Sequence, residues 1–251
     1  MKEKNNFAER IRTNELLIGT LVSLSSPEVC ELLANIGYDW LFIDAEHGAF
    51  NPQQAQTMLQ AASPIPCLIR VPSDETVWIK KALDIGAEGV IVPQVHNEVQ
   101  AKRIIADCKY SPVGERGIGI GRAHKYGIEF ERYLKNANTE TAIILQAESS
   151  EAAKNIEKIV AVEGVDAILI GPYDLSASLG KPGEINHPVV QSAIERIIDA
   201  CQAATISMGI FGINAEAVLP YKEKGFNLLA VGIDTAFLIS SAKDTLIKMK
   251  D

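Results

Sequence analysis

Residues 142–170 have the sequence AIILQAESSEAAKNIEKIVAVEGVDAILI. Two short apolar runs, Ala142–Ala147 and Ala167–Ile170, flank the amphipathic segment Ser150–Val160. Apolar runs with little polar alternation are typical of parallel strands buried on both faces, whereas apolar residues spaced three and four apart indicate a helix. The stretch therefore predicts a strand, a helix and a second strand parallel to the first.

The same pattern recurs along the chain. Further strands are predicted at Leu17–Leu24, Trp40–Asp44, Cys67–Val71, Gly89–Pro93, Ser207–Phe211 and Leu228–Val231. Further helices are predicted at Pro27–Ile36, Pro52–Ala62, Asp74–Ile85, Glu98–Cys108, Pro188–Ala203, Ala215–Lys224 and Thr235–Lys250. Eight strand–helix units with short connections predict an α/β fold, a single (β/α)8 TIM barrel. A doubly wound open sheet is the alternative, but the first strand is not followed by a Gly-rich phosphate turn.

The 251 residues suit one barrel domain, 1–251, with an insertion at 109–141. The insertion contains a Gly-rich loop, Gly117–Gly121, and a predicted helix near Glu129–Asn136. The loop follows a helix rather than a strand, so dinucleotide binding is not expected. Its neighbours Arg116, Arg122 and Tyr126 are consistent with a substrate lid.

Charge and cysteine content exclude several classes. The formal net charge of −8 argues against nucleic acid as a partner. No run of apolar residues is long enough to predict a membrane span, and Met1–Asn6 leads into no apolar leader core. The four cysteines are scattered without a CxxC pair, which predicts a reduced, cytoplasmic protein.

Polar residues follow several strands at the end where TIM barrels carry their chemistry. Glu148 and Asp174 follow consecutive strands, and two carboxylates suit Mg²⁺ or Mn²⁺. Zinc is less favoured because no HxH, HExxH or CxxC spacing occurs. The alternative is that each carboxylate pairs with an arginine or caps the next helix.

A second group suggests proton transfer. Asp44 and His47 are spaced as a carboxylate–imidazole pair, and Arg70 at a strand end suits an anionic substrate or a developing oxyanion. The alternative for Arg70 is a salt bridge to Glu148 or Asp44. The predicted strands contain no lysine, which argues against a Schiff base. The set fits proton abstraction next to a carbonyl, with the metal stabilising an enolate.

Six ordered segments together resemble the HpcH/HpaI aldolase family, the metal-dependent class II pyruvate aldolases, over nearly the whole chain. They are Gly37–His47, Tyr110–Gly117, Gln146–Glu148, Glu163–Asp166, Gly171–Ser176 and Ala230–Asp234. The resemblance implies a phosphoenolpyruvate/pyruvate-type barrel. It also implies reversible cleavage of a 4-hydroxy-2-oxo acid to pyruvate and an aldehyde, through a metal-bound pyruvate enolate.

The resemblance also implies residue roles. Glu148 and Asp174 would hold Mg²⁺ or Mn²⁺, with Co²⁺ as a third candidate. Arg70 would stabilise the enolate oxygen, and His47, oriented by Asp44, would act as acid and base. Gln146, Pro172 and Tyr173 would surround the pyruvate half of the substrate.

The remaining implications concern assembly and specificity. The resemblance implies that Asp84 is a catalytic residue, at a family position near a subunit interface. Family members form hexamers, as trimers of dimers that exchange the C-terminal helix, here Thr235–Lys250. Leu21 stands where well-known members carry tryptophan, so the identity of the aldehyde product stays open. Phe211 is a second residue expected to shape the pocket for the aldehyde half. Two alternatives remain: a citryl/malyl-CoA-type lyase on the same fold, and a non-catalytic barrel that binds a metal and an oxo acid.

Overall fold

Eight parallel strands form a closed barrel in the computed structural model, which describes residues 6–250. Each strand pairs with the next in sequence order, and β8 pairs with β1 to close the ring. The predicted (β/α)8 barrel is confirmed. The strands are β1 Leu17–Val22, β2 Trp40–Asp44, β3 Cys67–Arg70, β4 Gly89–Val92, β5 Ala142–Ala147, β6 Ala167–Ile170, β7 Ser207–Gly212 and β8 Leu228–Ile233.

Helices surround the barrel, and most begin at a residue that the sequence marks as a cap. Ser26 accepts the Val29 N–H, and Asn51 accepts the N–H groups of Gln53 and Gln54. The α-helices are α1 Phe7–Arg12, α2 Pro27–Ile36, α3 Pro52–Ala62, α4 Thr76–Asp84, α5 Glu98–Cys108, α6 Phe130–Glu140, α7 Ser150–Val160, α8 Pro172–Ser178, α9 Pro188–Ala204, α10 Ala215–Glu223 and α11 Asp234–Lys250.

Two short helices were not predicted. Helix α1 has six residues and α8 has seven, too few for a repeated apolar face. Helix α1 packs Phe7, Ala8 and Ile11 into the same core cluster as Leu17 and Trp40, and the Ser207 hydroxyl donates to the Ile11 carbonyl. It therefore closes the amino end of the barrel. Residues 1–5, including most of the stretch weighed as a leader, lie outside the described residues.

The 109–141 insertion lies at this same amino end. It contains a 3₁₀ helix at Arg122–Gly127 as well as α6. Arg122 donates to the carbonyls of Ile85 and Gly86, between the end of α4 and the start of β4. In its own chain the loop is anchored away from the carboxyl ends of the strands, so the suggested lid over them is wrong for a single chain.

The last helix is nearly uncovered. Of the residues in α11, only Asp234 is buried, and its carboxylate accepts hydrogen bonds from Ser23, Leu24 and Thr235. Six large apolar side chains of the helix are exposed: Phe237, Leu238, Ile239, Leu246, Ile247 and Met249. None of the helices within residues 6–250 has both the length and the apolar character that a membrane crossing requires.

Candidate active site

Arg70 and Asp44 face each other at the carboxyl ends of neighbouring strands. They are paired in the register between β2 and β3. Arg70 Nε lies 2.9 Å from Asp44 Oδ1 and Nη2 lies 2.8 Å from Oδ2, a bidentate ion pair. The guanidinium also lies over the buried Phe42 ring, 5.2 Å from its centroid. The salt bridge that the sequence left as an alternative is thus formed, and it leaves Nη1 of Arg70 for a ligand.

Burial lowers the pKa of Arg70, but the neighbouring carboxylates raise it overall, so the guanidinium stays charged. Glu46 Oε2 is a second partner, 3.1 Å from Arg70 Nε. Burial raises the pKa of Glu46, while Arg70 and His47 oppose that shift. The structure therefore places the Glu46 carboxylate beside the guanidinium of Arg70.

His47 does not pair with Asp44 through its ring. The Asp44 carboxylate binds Arg70, and its Oδ1 also accepts the backbone N–H groups of Glu46 and His47. The imidazole is 69% exposed, and its Nε2 lies 3.7 Å from Glu46 Oε2. The predicted carboxylate–imidazole pair is therefore corrected, because the turn directs the Asp44 oxygens toward the guanidinium and the backbone.

Glu148 is buried just beyond the end of β5. The backbone N–H of Gln94 donates to its Oε1 at 2.8 Å, and Gln146 Nε2 makes a close contact with its Oε2. Burial raises the pKa of Glu148 to about 7, and the charges of Asp174 and Glu46 act in the same direction. The helix-cap alternative is wrong because Ser149 caps α7 by accepting the Ala152 N–H. An arginine partner for Glu148 is not found within residues 6–250.

Asp174 lies in the first turn of α8 with its side chain exposed. It does not cap the helix, since Gly171 occupies that position and no side chain caps it. The Asp174 charge raises the pKa of Glu148 and of Glu46, which places the three carboxylates within electrostatic reach of one another.

Most of the predicted substrate residues surround one small cavity at the mouth of the barrel. Its volume is about 70 Å³, room for several waters or a small ligand. The cavity lining includes the predicted Leu21, Arg70, Gln146, Pro172, Tyr173, Asp174 and Phe211, together with Phe42 and Gly171.

The donor set fits a divalent cation. Asp44, Glu46, Glu148 and Asp174 bring four carboxylates to the mouth of the barrel, where the half-buried Arg70 pairs with Asp44 and Glu46. The buried Oε1 of Gln146 has no hydrogen-bond partner. In the described part of the chain, no three His, Cys, Asp or Glu side chains converge as a ready ligand set. Two carboxylates completed by water and substrate oxygens match the way Mg²⁺ is usually bound.

Asp84 is not brought to this mouth within the chain. It ends α4, five residues before β4 begins, and so lies at the amino end of the strands. There its Oδ1 accepts a hydrogen bond from Arg116 Nη2 at 2.9 Å. Arg116 is buried against the Tyr110 ring, at 4.6 Å from its centroid. In a single chain this pair anchors the insertion to α4.

Sequence comparison assigns the family. The model of the HpcH/HpaI aldolase/citrate lyase family matches residues 17–241. The chain belongs to this family. A Pseudomonas aeruginosa protein named hydroxypyruvate/pyruvate aldolase is 38% identical over 250 residues, 98% of this chain and 93% of that protein. A Shigella flexneri 4-hydroxy-2-oxo-heptane-1,7-dioate aldolase is 38% identical over 244 residues, 96% and 91% of the two chains.

Comparison with a solved structure supports the same family. An HpcH/HpaI aldolase/citrate lyase family protein from Burkholderia cenocepacia J2315 superposes with a TM-score of 0.93 at 34% identity, covering 97% of this chain and 98% of that one. The predicted family is confirmed, and so is the prediction of an aldolase, a carbon–carbon lyase.

Three contributors to the site were missed from sequence. Phe42 was assigned only to a strand, although its alternation with Leu41 and Ile43 could have placed it inside the barrel. Gln94 acts through its backbone, which no residue-type pattern reveals. Gly171 leaves room for the Glu148 carboxylate, since a Cβ there would lie 2.8 Å from Oε2.

Proposed function

We propose that the protein is a divalent-cation-dependent pyruvate aldolase, which reversibly cleaves a 4-hydroxy-2-oxo acid to pyruvate and an aldehyde. The observation that carries this proposal is the charged Arg70, fixed by Asp44, in the lining of a cavity that also includes Gln146 and Asp174, with the buried Glu148 in contact with Gln146. The names of the similar aldolases support the substrate class.

In the proposed cleavage, Arg70 stabilises the charge that develops as the C3–C4 bond breaks. A base removes the proton of the C4 hydroxyl, whose oxygen then forms the aldehyde carbonyl as the C3–C4 bond breaks. The electron pair of the broken bond forms a C2=C3 double bond, and the electron pair of the C2 carbonyl moves to its oxygen, which becomes the negatively charged enolate oxygen. Arg70, held by Asp44 and Phe42, offers Nη1 to stabilise that charge. C3 then takes up a proton, which yields pyruvate.

We assign the proton transfers to His47. Its ring is exposed at the mouth, and its Nε2 lies 3.7 Å from Glu46 Oε2. In the reverse direction the same imidazole takes a methyl proton of pyruvate and later protonates the aldehyde oxygen.

Glu148 and Asp174 would hold the cation, with Gln146 beside them. When bound there, Mg²⁺, Mn²⁺ or Co²⁺ would polarise the C2 carbonyl and the substrate carboxylate. Gln146 contacts one oxygen of Glu148, and the N–H groups in the first turn of α8, beyond Pro172, would help to hold the substrate carboxylate. Leu21 and Phe211 are among the apolar residues that line the cavity, and they would contact the aldehyde half of the substrate.

Proton exchange tests the proposal directly. Pyruvate is incubated with the protein in D₂O with Mn²⁺ or Mg²⁺, and again with EDTA, and the methyl proton signal is followed. Metal-dependent loss of that signal is expected. Exchange that persists in EDTA would refute the cation requirement. An absence of exchange in both conditions would refute the aldolase reaction on pyruvate and favour a barrel that binds the oxo acid without acting on it.

We also propose that the enzyme is a homo-oligomer in which α11 packs on a neighbouring copy. Helix α11 has one buried residue and six exposed large apolar side chains, so packing against its own chain stabilises it little. An apolar groove beside α2, lined by Leu32, Ile36 and Phe237, continues the same surface. A role of Asp84 in the reaction requires such a neighbour, since in its own chain it lies at the opposite end of the barrel.

A further inference from the structure

Gln94 has a backbone conformation that residues with side chains rarely adopt. It follows β4 with a φ of +56°, in the left-handed region. Its side chain is exposed, so packing of that side chain does not account for the conformation. A left-handed conformation at a residue other than glycine costs free energy and persists only where surrounding contacts impose it.

The Val95 N–H contributes by donating to the Gln146 carbonyl at 3.4 Å, and the Gln100 side chain supplies two further contacts. Its Oε1 accepts the backbone N–H of His96 at 2.8 Å, and its Nε2 donates to the backbone carbonyl of Gln94 at 2.9 Å. The same Nε2 donates to Asp74 Oδ2 at 2.8 Å, which fixes the orientation of the amide. One side chain in the first turn of α5 therefore closes both ends of the turn at residues 94–96.

The consequence of this turn is the direction of one N–H group. The backbone N–H of Gln94 donates to Glu148 Oε1 at 2.8 Å, while Gln146 contacts the other carboxylate oxygen. Glu148 is thus held from both sides, by the β4 loop and by its own strand. Each oxygen keeps a lone pair for a further ligand, in an orientation that the two donors determine.

We propose that Gln100 is a positioning residue for Glu148: through the turn at residues 94–96 it sets the orientation in which the carboxylate binds the divalent cation. This inference rests on the proposed function, which assigns Glu148 as a cation ligand. It assigns to Gln100 a role at a distance, without contact with substrate or cation.

The test measures cation affinity rather than turnover. Free Mn²⁺ is titrated by electron paramagnetic resonance against the wild-type protein, Glu148→Gln, Gln100→Ala and Gln191→Ala. Gln191 is the matched control, because its amide also ties a loop to the start of a helix, donating to the Ile185 carbonyl at 2.8 Å. We expect Gln100→Ala to weaken Mn²⁺ binding by about tenfold or more, and Gln191→Ala to leave it unchanged.

A rescue experiment separates positioning from a general loss of stability. Glycine adopts positive φ readily, so Gln94→Gly should restore much of the Mn²⁺ affinity when added to Gln100→Ala. Melting temperatures in EDTA are recorded for every variant.

The outcomes distinguish the assignment of the cation site at Glu148 from the positioning role of Gln100. Failure of the wild-type protein to bind Mn²⁺, or full binding by Glu148→Gln, overturns the assignment of the cation site in the proposed function. Glu148-dependent binding in the wild type with unchanged affinity in Gln100→Ala overturns the inference about Gln100 alone. A lower melting temperature in Gln100→Ala with unchanged affinity also overturns it, because a merely structural role gives that result.

Discussion

Arg70 is a cation whose position is fixed on three sides. Asp44 binds it through two parallel hydrogen bonds, Glu46 lies beside it, and the Phe42 ring lies beneath it. Such a group can stabilise developing charge without moving, which is the main source of catalytic power in sites of this kind. Lysine at this position keeps the charge but loses the forked geometry that matches Asp44.

We expect Arg70→Lys to lower kcat for cleavage of a 4-hydroxy-2-oxo acid by about 100-fold or more, in line with the loss of one oxyanion donor elsewhere. Steady-state kinetics check this, with Arg196→Ala as control because Arg196 lies on the surface, where it binds Glu157 and the Lys154 carbonyl. A kcat within threefold or so of the wild type would remove Arg70 from the reaction.

Gly171 permits the close approach of Glu148. Its φ of −104° is open to any residue, so only space is at issue. A Cβ would lie 2.8 Å from Glu148 Oε2 and 3.2 Å from Gln146 Nε2. We expect Gly171→Ala to displace the carboxylate and reduce activity by about tenfold or more, with activity measured at saturating Mn²⁺. Gly119→Ala is the control, since no atom lies within 4 Å of its Cβ position, and equal activity in both variants would contradict the argument.

The pKa of Glu148 gives a prediction about pH. Burial raises this pKa from 4.5 to about 7 in the folded chain. Between these values the unfolded chain releases the proton and the folded chain keeps it. The free energy of unfolding therefore falls as pH rises through this window, by up to about 1.4 kcal/mol per pH unit for this group.

Thermal melts in EDTA check the sign. Glu148→Gln cannot ionise, so it should be more stable than the wild type at about pH 8, and the difference should shrink toward about pH 4.5. Mn²⁺ binds the ionised carboxylate, so adding it at the higher pH should raise the melting temperature of the wild type and not of the variant. A wild type that gains stability relative to Glu148→Gln as pH rises would show that the pKa is lowered instead.

At the scale of elements, α1 stabilises the barrel from the end opposite the reaction. Ile11 is fully buried in the inner core, and Arg12 binds the buried Asp166 with an Nε–Oδ1 distance of 2.6 Å. We expect Ile11→Ala to lower the free energy of unfolding by about 2–5 kcal/mol. The melting temperature should fall by about 2–4 °C per kcal/mol in a chain of this size. Calorimetry measures the loss of stability, and an unchanged kcat would confirm that α1 lies apart from the catalytic residues.

Strands and long helices were predictable because their patterns are long. The Ala142–Ala147 and Ala167–Ile170 strands were predicted with the bounds observed, since buried parallel strands are continuous apolar runs. Helices α1 and α8 were missed because they have fewer than eight residues. In the site, side chains were predictable from their place after strands. The Asp44–His47 pair was wrong because the ring direction and the Arg70 contact depend on the turn geometry, which spacing does not encode.

At the scale of the whole molecule, the net charge and the site have to be reconciled. A chain with a charge of −8 repels an anionic oxo acid at long range. The mouth adds four carboxylates to that field, so under the proposed function the attraction of substrate would depend on a bound cation and on Arg70, both acting at short range. Binding of the oxo acid should therefore depend on the cation more strongly in this acidic protein than it would in a protein of zero net charge.

The exposed face of α11 gives the last prediction. Ile239 and Leu246 are seven residues apart, so they lie on one side of the helix, and both are more than half exposed. The double variant Ile239→Glu and Leu246→Glu places two charges in the proposed contact with a neighbouring copy. We expect its molar mass by light scattering to fall to that of one chain, 27.2 kDa, while the wild type has a multiple of that mass. Lys243→Glu, an exposed charge on the same helix, should keep the wild-type mass. A wild type of 27.2 kDa that is fully active would show that the helix needs no partner and that Asp84 takes no part in the reaction.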